Sequence, residues 1–307
     1  MRVLFYGTPE FAVPSLTALV GEGFDVVGVV TRPDKPTGRH RSSSRPSPVK
    51  EAALAEDLPV FQPDSPAANG FVDQIAALKP DVACVVAYGH ILKERVLGVP
   101  RLGSINVHAS LLPALRGAAP IERAILEGHE ETGITIIQMD AGMDTGPILH
   151  QVSTPIAPEE TAGELRIRLA EMGALALVEA LTLLDGTGIT PRRQDESAAT
   201  WAPKLAREEE RLDLSRPALE VSRRIRAFDP APGAWCQLRG RPLKLFGARL
   251  AEGAGEPGTV LALGDTMVIA CGAGAVAVSE VQPAGRNRMR VRDFANGRLV
   301  REGEVLT

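Results

Sequence analysis

Residues Val3-Leu-Phe-Tyr-Gly-Thr-Pro-Glu-Phe-Ala-Val-Pro-Ser-Leu-Thr-Ala-Leu-Val20, followed by Val26-Val-Gly-Val-Val30, read as strand, turn, helix and strand. Val3–Tyr6 is a short apolar run that stops at Gly7. Phe11–Val20 carries apolar residues at helical spacing, with Pro14 early enough to be tolerated in a first turn. Val26–Val30 is rich in β-branched residues on both faces, as a strand covered on both sides must be. The alternation then repeats. Helices are predicted over Val49–Glu56, Gly70–Leu78, Ile91–Leu97 and Ala119–Gly128. They alternate with strands over Pro59–Phe61, Val82–Ala87, Ser104–Val107 and Ile134–Met139. A further strand, Pro147–Thr154, precedes a long helix, Ala162–Leu184. That pattern specifies an α/β domain with a mostly parallel, Rossmann-like sheet and helices on both faces.

Beyond Gly186 the pattern changes. Residues 188–206 are polar and contain Gly188, Pro191 and Pro203, which predicts an interdomain linker. After a helix at Ala218–Ala227, five short strands are expected: Trp235–Leu238, Leu243–Leu250, Gly258–Leu263, Thr266–Ala270 and Ala275–Val281. Five strands in so short a stretch predict a small barrel of the oligonucleotide/oligosaccharide-binding (OB) kind. The expected division is therefore 1–187, a linker 188–206, and a β-barrel domain 207–307. The segment Arg32–Pro48, with four prolines and four arginines, is expected to be a loop.

The 307 residues carry a formal charge of −4 that is unevenly spread. Residues 201–307 hold 17 Lys/Arg against 13 Asp/Glu, while residues 1–200 hold 17 against 25. A basic last third on an acidic body is compatible with a nucleic-acid partner. Cys84, Cys236 and Cys271 are few, odd in number and far apart. They fit a reducing compartment and neither a zinc knuckle nor a disulfide frame. No secretory leader or membrane span is expected, so the protein is expected in the cytoplasm. Gly7-Thr-Pro-Glu10 stands where G-x-G-x-x-G would stand in a dinucleotide-binding fold, and that fingerprint is missing.

Chemistry concentrates in Ser104-Ile-Asn-Val-His-Ala-Ser-Leu-Leu-Pro113. Asn106 and His108 are two apart and share one face of a strand, at the strand end where open α/β sheets bind ligands. One is a non-titrating amide donor and the other a side chain suited to moving protons near neutrality. Together they suit the stabilisation of an oxyanion in acyl transfer. Ser110–Pro113 and Arg116-Gly-Ala-Ala-Pro120 add apolar and small residues that invite a flat ligand. Asp140-Ala-Gly-Met-Asp-Thr-Gly146 brings two aspartates, either able to fold back toward His108.

These stretches, with Phe5–Phe11, Asp34–Lys50, Val85–Gly89 and Arg226–Pro232, resemble the 10-formyltetrahydrofolate-dependent formyltransferase family. The resemblance implies catalytic roles for Asn106, His108 and Asp144, choosing Asp144 over Asp140. It implies folate contacts at Ser110, Leu111, Leu112 and Pro113, with the pteridine beside Val86, Tyr88, Gly89 and Ile91. It is nearest to the branch of the family whose acceptor is initiator methionyl-tRNA. For that branch it implies tRNA contacts from Arg39, Arg41 and Arg45 in the loop after the second strand, and from Lys204. Where some relatives carry a Lys-Lys pair, this chain has His40-Arg-Ser-Ser-Ser-Arg45. A monomer is expected, with 10-formyltetrahydrofolate as co-substrate, no metal and no membrane. The competing expectations are a formyltransferase for an amino sugar or glycinamide ribonucleotide, a formyl-folate hydrolase, and an RNA-binding protein on an inactive scaffold.

Overall fold

The computed structural model describes residues 1–37, 43–186, 188–297 and 299–307. Its chain divides into two compact units. The first comprises Met1–Gly117, Thr132–Thr154 and Arg166–Trp201; the second comprises Ala118–Glu131, Pro155–Leu165 and Ala202–Thr307.

A seven-stranded sheet forms the first unit, in the order Ile148–Pro155, Glu131–Gln138, Ser104–His108, Val82–Val86, Arg2–Gly7, Asp25–Val30, Val60–Phe61. From Ser104–His108 to Val60–Phe61 every neighbouring pair is parallel. Glu131–Gln138 runs antiparallel to Ser104–His108 and sets His108 opposite Thr135. The apolar runs behave as their composition demands: every residue of Val82–Val86 is buried, as are all but the first of Arg2–Gly7 and Asp25–Val30. Gly7 closes the first strand, and a side chain is excluded there because a Cβ would lie 2.8 Å from the Phe5 ring and 2.9 Å from Ala12. The chain leaves Arg2–Gly7 toward Asp25–Val30 and later returns on its other side as Val82–Val86. The sheet therefore switches direction between Gly7 and Val86, and a crevice opens at such a point. Thr8 Oγ1 donates to the Tyr88 carbonyl (2.8 Å), tying together the loops that leave the two strands.

Several expectations need correction. Within the predicted loop Arg32–Pro48, Lys35–Thr37 and Ser43–Arg45 pair as antiparallel strands. The helix expected at Ile91–Leu97 is only Glu94–Leu97, because residues 87–93 take irregular backbone with positive φ at Ala87 and Gly89. The polar stretch 188–206 is not a free linker. Its residues through Trp201 belong to the first unit, where Arg192 and Ile148 exchange backbone hydrogen bonds of 2.8 Å. Within it Gln194 and Glu196 accept hydrogen bonds from the buried Arg116, a partner that local composition does not reveal.

In the second unit, helix Ala218–Ala227 accompanies an antiparallel sheet in the order Trp235–Leu238, Arg241–Ala251, Ala275–Pro283, Met267–Ala270, Val260–Leu263. Met289–Arg290 adds to Ala275–Pro283, and a short helix, Val291–Asn296, follows; neither was expected from the sequence. Two bridges, Leu238 with Leu306 and Thr259 with Val305, lay the last residues between the sheet's two edge strands. Gln237 and Thr307 exchange hydrogen bonds of 2.6 and 2.9 Å, and Val260 N–H donates to Glu304 (2.8 Å). A curled sheet sealed in this way leaves few edge groups unpaired, the usual advantage of a barrel. Inward positions hold Cys236, Leu243, Leu245, Met267, Ile269, Val276, Val278 and Val281, all buried.

Candidate active site

Ser104–His108 places Asn106 and His108 at the carboxyl end of a central strand. Asn106 is half-buried, and among the described residues its amide has no hydrogen-bond partner. His108 is buried at 5% exposure. Its Nε2 lies 3.0 Å from the Leu115 carbonyl. A carbonyl only accepts, so Nε2 carries hydrogen and Nδ1 is the ring atom left to face other groups. What it faces is Asp144 Oδ2, at 3.6 Å. That separation exceeds a hydrogen bond and falls within the range of a charge contact. Asp144 thus meets His108 as expected, whereas Asp140 turns elsewhere, accepting from Gly142 N–H (3.0 Å) and Thr145 Oγ1 (2.7 Å).

Asp144 sits in the left-handed region at φ 55°. Its Oδ2 also accepts from the Gly117 N–H at 2.9 Å. Gly146 closes the turn, and a Cβ there would come within 1.8 Å of the Gln138 carbonyl. One side chain from the presumed linker, Gln194, reaches this turn. Its Nε2 donates to the carbonyls of Asp144 (2.8 Å) and Gly146 (2.7 Å). Gln194 Oε1 in turn accepts from Arg116 Nε (3.1 Å) and Nη2 (2.8 Å). Arg116, 1% exposed, also makes a two-point contact with Glu196, 2.8 Å on each arm. Sequence reasoning missed Gln194 and Glu196, and nothing in a polar, proline-containing stretch marks them out.

The side chains expected around a folate divide into two groups. Leu111, Pro113 and Gly89 reach the surface in part or fully, and Ile91 is 81% exposed. Val86, Tyr88, Ser110 and Leu112 are buried. Leu112 packs with Ile137 and Ile148 in a small buried cluster. Ser110 Oγ donates to the Ala114 carbonyl (2.6 Å) and braces its own loop. That loop is fixed further by Thr135, whose Oγ1 donates to the Ser110 carbonyl (2.6 Å) and accepts from Leu112 N–H (3.1 Å). Tyr88 stacks edge-on to Tyr6 with ring centroids 5.3 Å apart. Burial raises the pKa of the Tyr88 phenol to about 12 and pushes that of Tyr6 higher still.

A pocket of about 230 Å³ opens beside Asp144, lined by His90, Ile91, Leu92, Ile137, Met139 and residues 140–144. Ile91 belonged to the expected set; Met139 and Met143 did not. Met143, 52% exposed, is the one with a readable signal, an apolar side chain inside a turn of Asp and Gly. Of the expected tRNA contacts, Arg45 and Lys204 are exposed, and Arg39 and Arg41 lie outside the described residues.

Two family models match the chain: formyl transferase over residues 1–181, and the formyl transferase C-terminal domain over residues 204–299. A methionyl-tRNA formyltransferase from Pseudomonas fluorescens (strain Pf-5) is 47% identical over 299 residues, 97% of this chain and 93% of that protein. The chain belongs to the methionyl-tRNA formyltransferase family. The methionyl-tRNA formyltransferase of Stutzerimonas stutzeri is 48% identical over 302 residues, covering 97% and 95% of the two chains. An N-formyltransferase from Helicobacter canadensis, crystallised with folinic acid and dTDP-3-aminofucose, shares the fold. Its TM-score is 0.70 at 18% identity, over 92% of this chain and 99% of that one. Among the described residues no helix is long and apolar enough to cross a membrane.

Proposed function

We propose that the chain transfers the formyl group of 10-formyltetrahydrofolate to the α-amine of methionine on initiator methionyl-tRNA, acting as a cytoplasmic monomer. The observation that carries this reading is the placement of Asp144 Oδ2 at 3.6 Å from His108 Nδ1, with Asn106 two residues earlier on the same strand. Residues 1–187 supply the chemistry in this reading, and the barrel, residues 207–307, helps hold the tRNA.

The methionyl amine, less basic for being next to an ester, attacks the formyl carbon. A C–N bond forms and the carbonyl π pair moves onto oxygen. The Asn106 amide donates to that oxyanion. His108 Nδ1–H, not committed to a full hydrogen bond with Asp144, supplies the second donor. One such donor is typically worth about 3–4 kcal/mol in the transition state. Asp144 stabilises the charged imidazole and accepts the proton that the amine sheds. As the tetrahedral species collapses, the bond from carbon to N10 breaks. N10 takes up one proton, and tetrahydrofolate leaves with formyl-methionyl-tRNA as the second product.

The exposed residues Leu111, Pro113, Gly89 and Ile91 hold the folate by side chain or by close backbone approach. Val86, Tyr88, Ser110 and Leu112 shape that site from beneath. Arg39, Arg41, Arg45 and Lys204 take phosphates of the tRNA, so binding weakens with salt and the slope falls as these charges are removed. The deciding experiment offers formyl-folate to methionyl-tRNA, amino sugars, glycinamide ribonucleotide and water in parallel. Formyl transfer to methionyl-tRNA alone is expected. Equal turnover with a small amine or with water would overturn the assignment of the acceptor.

A further inference from the structure

Asp144 is held in a backbone region that disfavours side chains, and a single neutral residue grips the peptide on both sides of Thr145. Gln194 spends both amide hydrogens on the carbonyls of Asp144 and Gly146 (2.8 and 2.7 Å). Its oxygen accepts twice from Arg116, which can only donate. The orientation of the amide is therefore forced, and no other residue type offers two donors on one side and an acceptor on the other at that reach. Arg116 is buried, and its charge is met by Glu196 at 2.8 Å on both arms. The guanidinium pKa is raised first by the Glu196 hydrogen bond and further by the charges of Asp144 and Asp140. The chain from Glu196 to Arg116 to Gln194 ends on the backbone of the residue whose carboxylate faces His108.

We infer that Gln194, anchored through Arg116 by Glu196, is a positioning residue that sets the Asp144 carboxylate against His108. The inference rests on the reading above in which Asp144 acts on His108. Gln194 touches no reacting atom; its effect passes entirely through Asp144. Loss of the amide frees the turn, and a displacement of about 1 Å at a catalytic group can cost about 10²-fold in rate.

The test is steady-state kinetics with formyl-folate and methionyl-tRNA on Gln194→Ala, Glu196→Gln, Asp144→Ala and the two double variants that include Asp144→Ala. Gln194→Ala is expected to lower kcat at least about tenfold while both KM values stay within about twofold. Glu196→Gln, at a side chain 70% exposed, should give a smaller loss of the same kind. In the Asp144→Ala background each substitution should add less than about twofold, because residues acting through one group are not additive. A full additive loss in that background, or wild-type kcat in both single variants, overturns the inference. Should Gln194→Ala melt early, the Glu196→Gln cycle decides the same question. Wild-type kcat in Asp144→Ala would instead overturn the role of Asp144, and with it anything acting through it.

Discussion

His108 Nδ1 stands 3.6 Å from Asp144 Oδ2, although a loop, helix Pro120–Glu127, strand Glu131–Gln138 and a turn separate the two residues in sequence. The Leu115 carbonyl fixes the imidazole from the other side, so only a proton on Nδ1 lets the ring attract that carboxylate. The charge on Asp144 should therefore matter more than its hydrogen-bonding capacity. Asp144→Asn keeps an oxygen for the Gly117 N–H and a residue type tolerant of left-handed backbone. It is expected to fold with a Tm within about 2 °C of the parent and to lose at least about tenfold in kcat. Calorimetry and steady-state kinetics on one preparation check both halves.

Asn106→Ala and His108→Ala should each slow single-turnover formyl transfer by about 10²–10³. Rates within about threefold of the parent would remove the residue concerned from the chemistry.

The loop bearing Leu111 is pressed against its neighbour by a glycine. A Cβ on Gly133 would lie 2.1 Å from the Val152 carbonyl and 2.6 Å from Leu111 Cδ2. The strand backbone cannot yield as a side chain would. Gly133→Ala is expected to cost about 1–3 kcal/mol by denaturant unfolding and to raise the KM for formyl-folate more than that for tRNA.

Acid should loosen the second unit through Glu209. Its contact with Arg123 (2.7 Å) holds this carboxyl below the usual glutamate range. A carboxyl depressed in the folded state stabilises fully above its unfolded pKa, and that contribution is lost as pH falls through the folded value. Between about pH 5 and pH 2.5 the Tm of the parent should fall more steeply than that of Glu209→Gln. Parallel curves would show that the ion pair contributes nothing to stability.

All three cysteines are buried, and burial raises each thiol: Cys271 to about 11, Cys236 to about 12 and Cys84 further. A thiol-disulfide reagent at pH 8 should find no fast-reacting group in the native protein and all three in denaturant. Fast reaction of one thiol would reveal local opening around it.

The parallel sheet was legible because its strands are buried on both faces and so carry their signal in every residue, as Val82–Val86 does. The closing residues 303–307 of the barrel were not, since an edge bridge such as Thr259 with Val305 needs no apolar run. Asn106 and His108 could be found because period-two spacing on a strand is local. The choice of Asp144 over Asp140 could not be made locally: it depends on which carboxylate the Thr145 hydroxyl claims, and that is Asp140. Gln194 and Glu196 were invisible for a related reason. Their partners lie about 50 and 80 residues away, and polar residues in a coil-like stretch look alike whether they face water or a buried arginine.

The second unit is built from three stretches of chain, 118–131, 155–165 and 202–307. Helix Ala218–Ala227 packs on Pro120–Glu127, Arg226 Nη1 donates to the Glu160 carbonyl (3.0 Å), and Gly163 N–H donates to the Asp229 carbonyl (3.0 Å). No single cut in the gene separates one unit from the other. A splice near residue 206 would deliver a barrel stripped of a helix and of two backbone partners, so recombination between relatives should succeed only when all three stretches are inherited together.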